Sequence, residues 1–290
     1  MTLLEIISNS SPVARSATVT PEQQSNHSHQ KDLMFNDLKG RRILVTGSSS
    51  GIGLAVARSL LKLGAQVGIH GHLPEAPSEI QGDLQAAGKS AEYFAADLTK
   101  SENCQGLIDA FVARFGGLDV LISNAGGLVG RRGLEVLDDE FYDKVMDLNV
   151  RSAHNTTRFA IPHLRASAKE TGQTSAVIST GSLAAREGGG PGSSVYAAAK
   201  GWVHAAQRNW VKEFTKDGIR FNIVSPGSIT TAFHADKDQA TVDKISATIP
   251  MARFGVPDEV APAYVFLSSH ACAGYITGQI LDVNGGQICP

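Results

Sequence analysis

From Arg42 onward the chain alternates short β-branched runs with stretches long enough for several helical turns, and no other feature constrains the fold as strongly. The apolar runs are Arg42–Thr46 (RILVT), Gln66–His70 (QVGIH), Ala91–Ala95 (AEYFA), Asp119–Ser123 (DVLIS), Ala176–Thr180 (AVIST), Ile219–Val224 (IRFNIV) and Gln279–Val283 (QILDV). Several are apolar almost without a break, as strands covered on both faces must be. Helix-length segments lie between them at Gly51–Leu63, Ser78–Ala87, Ser101–Phe115, Asp138–Ala166, Val195–Lys216 and Pro257–Ser268. Strand, helix, strand repeated in this way predicts a single α/β domain over residues 38–290, a doubly wound parallel sheet with helices on both faces.

Residues 1–37 read differently. From Ser8 to about Asp37 the chain is rich in Ser, Thr, Gln, Asn and His, a composition that buries too little surface to order itself and predicts a flexible extension. The opening MTLLEIISNSSPVARSA interrupts its apolar residues with Glu5 and has no positively charged start, so it makes a poor signal peptide. No apolar run approaches the roughly 20 residues needed to cross a bilayer, and no membrane partner is expected. With 26 basic and 28 acidic residues, and no basic run longer than Arg41-Arg42 or Arg131-Arg132, no footprint for a nucleic-acid backbone is present. The cysteines Cys104, Cys272 and Cys289 are odd in number and contain no CxxC, which argues against a disulfide framework or a zinc site and for a reducing, cytoplasmic compartment.

Directly after the first strand stands Thr46-Gly47-Ser48-Ser49-Ser50-Gly51-Ile52-Gly53, followed by the helix-forming LAVARSLLKLG. Glycines let the backbone turn tightly and approach a pyrophosphate, while the N–H groups and positive end of the following helix attract its charge. The strand before and the helix after supply the context such a motif demands. Its spacing, G-x-x-x-G-x-G, differs from the commoner G-x-G-x-x-G.

With this loop the chain resembles the short-chain dehydrogenases/reductases, and the resemblance runs from about Leu38 to Gln287. The family's NAG element appears as Asn124-Ala125-Gly126, its adenine-side acid as Asp97-Leu98, its PGxIxT as Pro226-Gly227-Ser228-Ile229-Thr230-Thr231, and its terminal YITGQxLxVxGG as Tyr275 to Gly286. The resemblance implies a Rossmann fold and an NAD(P)(H)-dependent oxidoreductase interconverting a secondary alcohol and a ketone, most like 3-oxoacyl reductases or sugar and polyol dehydrogenases. It also implies cofactor contacts at Gly47, Ser49, Ser50, Gly51, Ile52, Gly53, His72, Asp97, Leu98, Asn124, Ala125, Gly126, Tyr196, Lys200, Pro226, Gly227, Ile229 and Thr231.

Hydride transfer between a nicotinamide and a carbonyl needs a proton delivered to the developing alkoxide, or removed from the alcohol in reverse. In SVYAAAK, Tyr196 and Lys200 are i and i+4, on one helix face and about 5–6 Å apart at Cβ. A phenol ordinarily titrates near about 10, and a neighbouring ammonium is expected to pull that value down. In the resembled family the tyrosine is the acid/base, the lysine also binds the nicotinamide ribose, a serine polarises the substrate oxygen and an asparagine holds a relay water. VISTGSLAA places that serine at Ser182, with Ser179 and Thr180 as further possibilities, and MDLNV places the asparagine at Asn149. Ser182 stands 14 positions before Tyr196, one more than is commonest in the family, and Gly188–Gly192 is the loop able to absorb the extra residue. Asp138-Asp139-Glu140 are explained by the positive end of the helix they open. His70-x-His72 lacks a third ligand, so no metal is expected.

At the end of the second strand Gly71 stands where an acid would select NAD. His72 follows it, and Ser50 stands where a basic residue often precedes the second motif glycine, so NADP(H) is the expected preference. The small-molecule substrate is expected beyond the strand ends, against Gly127–Arg132, Ala185–Gly192 and Ser228–Pro250, the last a lid; within these loops Arg186 could hold an acidic substrate, or be simply solvated. Trp202, Ala206 and Trp210 lie away from the Tyr196 face, and with the family's habit of pairing long helices they predict a homodimer or homotetramer. The competing reading is a catalytically weak nucleotide-sensing or interaction protein on the same fold, which would be expected to have lost Ser182, Tyr196 or Lys200.

Overall fold

The computed structural model describes residues 35–231 and 238–289. Its strands are β1 (Arg42–Val45), β2 (Gln66–Gly71), β3 (Ala91–Ala95), β4 (Val120–Ser123), β5 (Ser175–Thr180), β6 (Ile219–Pro226) and β7 (Ile280–Val283). They form one sheet in the order β3-β2-β1-β4-β5-β6-β7, and every pairing is parallel. β1 pairs with β2 on one side and β4 on the other. The winding therefore reverses between β1 and β4, which opens a crevice beyond the carboxyl ends of those strands.

Successive strand residues face opposite sides, and the two halves of the core follow. Ile43, Val45, Val67 and Ile69 pack on one face with Leu54, Leu60 and Tyr264, from the helices Gly51–Lys62 and Pro257–Ser268. Leu44, Leu121, Val177 and Phe221 pack on the other with Phe111 and Leu164, from Ser101–Phe115 and Ser152–Thr171. A slip of one residue would exchange the two sets and set each side chain against the packing of the wrong face. At the amino ends of the strands, Asp119 accepts from Arg42 Nη2 at 2.8 Å and from Ser167. Burial pushes its pKa up, but these donors win and hold it low.

Residues 1–34 of the expected extension lie outside the described residues. Asn36–Leu38 form a short turn with Leu38 buried, and Asp37 accepts from Ser269 Oγ at 2.8 Å and Ala271 N at 3.1 Å. The helix expected over Asp138–Ala166 is not continuous. Asp139–Met146 is helical, Asp147–Arg151 forms a wide π turn, and the helix resumes over Ser152–Thr171. The cause is Asn149, whose Nδ2 donates to the Val145 carbonyl at 2.9 Å, the acceptor its own N–H would take in a regular α turn. Short helices at Ala184–Glu187 and Gln239–Ser246 lie where only loops were expected. Asp138 caps the helix it precedes, accepting from Phe141 N at 2.8 Å.

Candidate active site

The glycine loop leaves β1 through Gly47, whose φ of +61° is left-handed. Ser48 Oγ donates to the Val45 carbonyl at 2.6 Å and accepts from His70 N at 2.9 Å. Gly47 N donates to His70 Nδ1 at 2.9 Å, so Nε2 carries the proton and donates to the Ala96 carbonyl at 3.0 Å. His70 therefore braces the loop as a neutral ring, and burial pushes its pKa down to about 4. Sequence reasoning weighed it only as a metal ligand; the available signal was a polar residue inside an otherwise apolar strand. Among the described residues, no group of three or more His, Cys, Asp or Glu could hold a metal ion.

The brace predicts a pH dependence. The unfolded ring takes up its proton near pH 6.5 and the folded ring only near about 4, so unfolding binds protons between those values and stability falls as the pH drops through that window. His204, also buried and lowered to about 4, adds to the slope. Thermal melts followed by circular dichroism should lose several degrees from pH 6.5 to 4. His70→Asn, which keeps an acceptor and does not titrate, should flatten part of that slope, and an unchanged slope would show that His70 is not a source of it.

The loop fits an anion on two observations. Ser50 occupies the N-cap of the helix Gly51–Lys62 with no side-chain capping bond, and no acid stands in the first turn, so the first-turn N–H groups keep their donors and positive end for a ligand. Asn124 Nδ2 donates to the carbonyls of Thr46 and Gly47 at 3.0 and 2.9 Å, and Ala125 N donates to Thr46 Oγ1 at 3.0 Å. Gly126 follows this lock directly. Thr231 stands over Gly51, its Cγ2 about 3.5 Å from where a Cβ would be. Ser49 lies against Gly71, and His72 is exposed after it. Asp97 is exposed, with its carboxylate held low first by the Thr99 hydroxyl at 2.7 Å. Leu98 and Ile229 are buried. Pro226 ends β6, and Gly227 N donates to the Val283 carbonyl at 3.0 Å.

At the same crevice, the helix Ser194–Phe214 turns Tyr196 and Lys200 inward on one buried face. The Tyr196 hydroxyl hydrogen-bonds Ser182, and burial outweighs this bond and pushes the phenol's pKa up. Lys200 Nζ lies 5.8 Å from the Tyr196 ring centre and donates to the Thr180 carbonyl at 2.9 Å. The expected downward pull of the ammonium on the phenol is thus not the larger effect, because both groups are buried and the lysine is itself lowered to about 8. Of the serine-role possibilities, Ser179 is buried in β5 and the Thr180 hydroxyl is engaged by Asn124 Oδ1 at 3.1 Å and Tyr264 at 2.7 Å. Ser182 hydrogen-bonds Tyr196. Buried Asn149 clasps Gly127, accepting from its N at 3.0 Å and donating to its O at 2.9 Å. Left-handed Gly188, Gly189 and Gly192 shape the loop between Ser182 and Tyr196.

Around the rim, Arg186 pairs with Asp282 and Arg132 with Asp138. Arg186 is therefore ion-paired at the surface rather than simply solvated. His234, Asp236 and Lys237 of the expected lid lie outside the described residues. Trp202 and Trp210 meet edge to face at 5.9 Å, and Trp210 also reaches Phe221 of the core at 6.1 Å. No helix among the described residues is long and apolar enough to cross a membrane.

Residues 47–287 match the family profile described as enoyl-(acyl carrier protein) reductase. A solved structure of the NADH-dependent reductase A1-R' responsible for alginate metabolism is 61% identical, with a TM-score of 0.81 over 88% of this chain and 100% of that one; the same reductase has been solved with NAD at 60% identity and a TM-score of 0.79. The NADPH-dependent aldehyde reductase 1, chloroplastic, of Arabidopsis thaliana is 33% identical over 87% of this chain and 88% of its own. The rhamnolipids biosynthesis 3-oxoacyl-[acyl-carrier-protein] reductase of Pseudomonas aeruginosa is 34% identical over 87% and 98%.

Proposed function

This chain belongs to the short-chain dehydrogenase/reductase family of NAD(P)-dependent oxidoreductases, and from that premise we propose that it reduces a ketone to a secondary alcohol with Tyr196 as the acid. The observation that carries this is the buried Tyr196 hydroxyl, bonded to Ser182 and set beside Lys200 at the crevice the glycine loop borders. The chemistry supplied by a bound nicotinamide is hydride transfer to the substrate carbon. Ser182 donates to the carbonyl oxygen as negative charge grows on it, and Tyr196 gives that oxygen its proton. A phenol raised by burial keeps its proton at neutral pH, which suits reduction. Lys200 places positive charge beside the ring and would bind the ribose of a bound nicotinamide, and Asn149 would hold the water through which the proton is restored. The helix start at Gly51–Gly53 would hold the pyrophosphate of a bound nicotinamide.

The proposed substrate is a small ketone of a sugar acid. The 61%-identical reductase is described as responsible for alginate metabolism, and alginate is a polymer of sugar acids. For the cofactor, a side chain at Gly71 would stand about 2.6 Å from the Tyr93 hydroxyl, so no carboxylate can select NAD there. That favours NADP(H), but no lysine or arginine replaces it between His70 and Ile80, where Glu75 and Glu79 are the charged residues. We therefore propose that both nicotinamides serve, with kcat/KM for NADPH and NADH within about tenfold, since each missing charged contact removes roughly 1.5–3 kcal/mol of discrimination. The three cysteines are free, which supports the cytoplasm as the compartment. The half-exposed Trp202 face and the fully exposed Tyr275 support a homodimer or homotetramer, which a sedimenting monomer would exclude.

Following nicotinamide absorbance across sugar acids, neutral sugars and 3-oxoacyl thioesters with both reduced cofactors tests the reading. Turnover of an acidic sugar-derived ketone is expected. Activity confined to thioesters would favour the acyl-reductase alternative, and a hundredfold preference for one nicotinamide would overturn the cofactor assignment.

A further inference from the structure

One cation at the crevice rim is held in place without having its charge neutralised. Beside the helix Asp139–Met146 lies a cavity of about 350 Å³ lined by Val129, Arg131, Arg132, Glu140, Phe141 and Lys144. Lys144 pairs with Glu140 at 2.6 Å, and Arg132 pairs with Asp138 while stacking 4.8 Å above Phe141. Arg131 differs. Its Nη1 donates to a neutral acceptor, the Pro191 carbonyl, at 3.1 Å, and among the described residues no carboxylate pairs with it. The cavity thus carries the uncompensated charge of one guanidinium, whose remaining N–H groups form a fork suited to a planar anion.

Backbone contacts fix the loop that carries this exposed guanidinium. Its loop begins at Gly127, which Asn149 clasps through both backbone groups. Two residues later Val129 adopts φ +64°, a left-handed conformation that a β-branched side chain takes only under constraint. Next to Arg131, Arg132 N donates to the Gly192 carbonyl at 2.9 Å, and Gly192 is four residues before Tyr196. The floor of the cavity, Phe141, belongs to the same apolar cluster as Tyr196. Loop, cavity and proton donor therefore form one continuous unit.

We propose that Arg131 is the specificity residue of this site, binding the carboxylate of an acidic ketone whose carbonyl lies at Ser182 and Tyr196, with the adjacent cavity receiving the carboxylate end of the molecule. This rests on the reading of the substrate as a sugar acid and names the group that recognises the acid.

The test compares D-fructuronate with D-fructose, ketones that differ in a terminal carboxylate, on the full chain with NADH. The wild type is expected to favour fructuronate in kcat/KM. Arg131→Gln should lower kcat/KM for fructuronate about 10- to 100-fold more than for fructose, mainly through KM, as loss of a charge-assisted pair would. Arg131→Lys, which keeps the charge and loses the fork, should recover part of the difference. NADH binding followed by fluorescence reports that each variant is folded. A wild type with no preference for the acid would overturn the acidic-substrate reading and this assignment with it. A preference that survives in Arg131→Gln would overturn the assignment alone.

Discussion

Replacing Tyr196 with Phe is expected to lower kcat by about a thousandfold, within the range of 10² to 10⁴ that a positioned general acid contributes, while leaving nicotinamide affinity nearly unchanged. The substitution removes one hydroxyl and keeps the ring that packs with Phe141, Val145 and Val195, so the fold and the cofactor site should persist. What disappears is the phenolic proton in contact with Ser182. Single-turnover absorbance changes with the reduced nicotinamide, alongside fluorescence titration of its binding, separate chemistry from affinity. Undiminished turnover in a folded Tyr196→Phe would remove the proposed mechanism, whereas a wild type that binds nicotinamide without turnover would leave the nucleotide-sensing alternative standing.

Gly53→Ala should have the second largest effect, on cofactor binding. A Cβ at Gly53 would sit 2.6 Å from Asn124 Nδ2 and 2.8 Å from Ser48 Cα, and closer still to the Gly47 carbonyl oxygen. Two of these three neighbours are backbone that cannot swing aside, and the third is the amide locking the loop to β4. The loop must open, and nicotinamide affinity should fall by a hundredfold or more, equivalent to about 3 kcal/mol. Gly82→Ala is the matched control: that glycine lies inside the helix Ser78–Ala87 with nothing within 4 Å of its added Cβ, so the change should stabilise by roughly 0.5–1 kcal/mol. Thermal melts of both variants with and without cofactor distinguish a distorted site from an unfolded chain. Normal cofactor binding by Gly53→Ala would mean that the loop does not carry the pyrophosphate.

Much of this architecture could be read before any coordinates. The strands β1 to β7 fall within one or two residues of the expected apolar runs, and the helices Ser78–Ala87, Ser101–Phe115 and Pro257–Ser268 match to the residue. These elements are specified by patterns a few residues long, in which turn signals and apolar period agree. The same holds for Tyr196 and Lys200, whose shared face follows from helix geometry alone. The wide turn at Asn149 did not follow, because a side chain that competes for the Val145 carbonyl leaves no trace in hydrophobic periodicity. Nor did the helix Gln239–Ser246, too short and too polar to rise above a loop reading.

Local order along the chain was sufficient for the class of fold, the glycine loop after β1 and the shared face of Tyr196 and Lys200, since each depends on neighbours within one or two turns. Contacts between residues far apart in the chain were needed for the rest. They made His70 a brace for Gly47, gave the Thr180 hydroxyl to Asn124 and Tyr264 and the Tyr196 hydroxyl to Ser182, and pushed the Tyr196 phenol up where a neighbouring ammonium alone would have pulled it down. They also bound Arg186 to Asp282 and set Arg131 against the Pro191 carbonyl, with no carboxylate paired to it among the described residues. Burial and partner choice depend on which segments meet, and that is settled only when the whole sheet has closed around its helices.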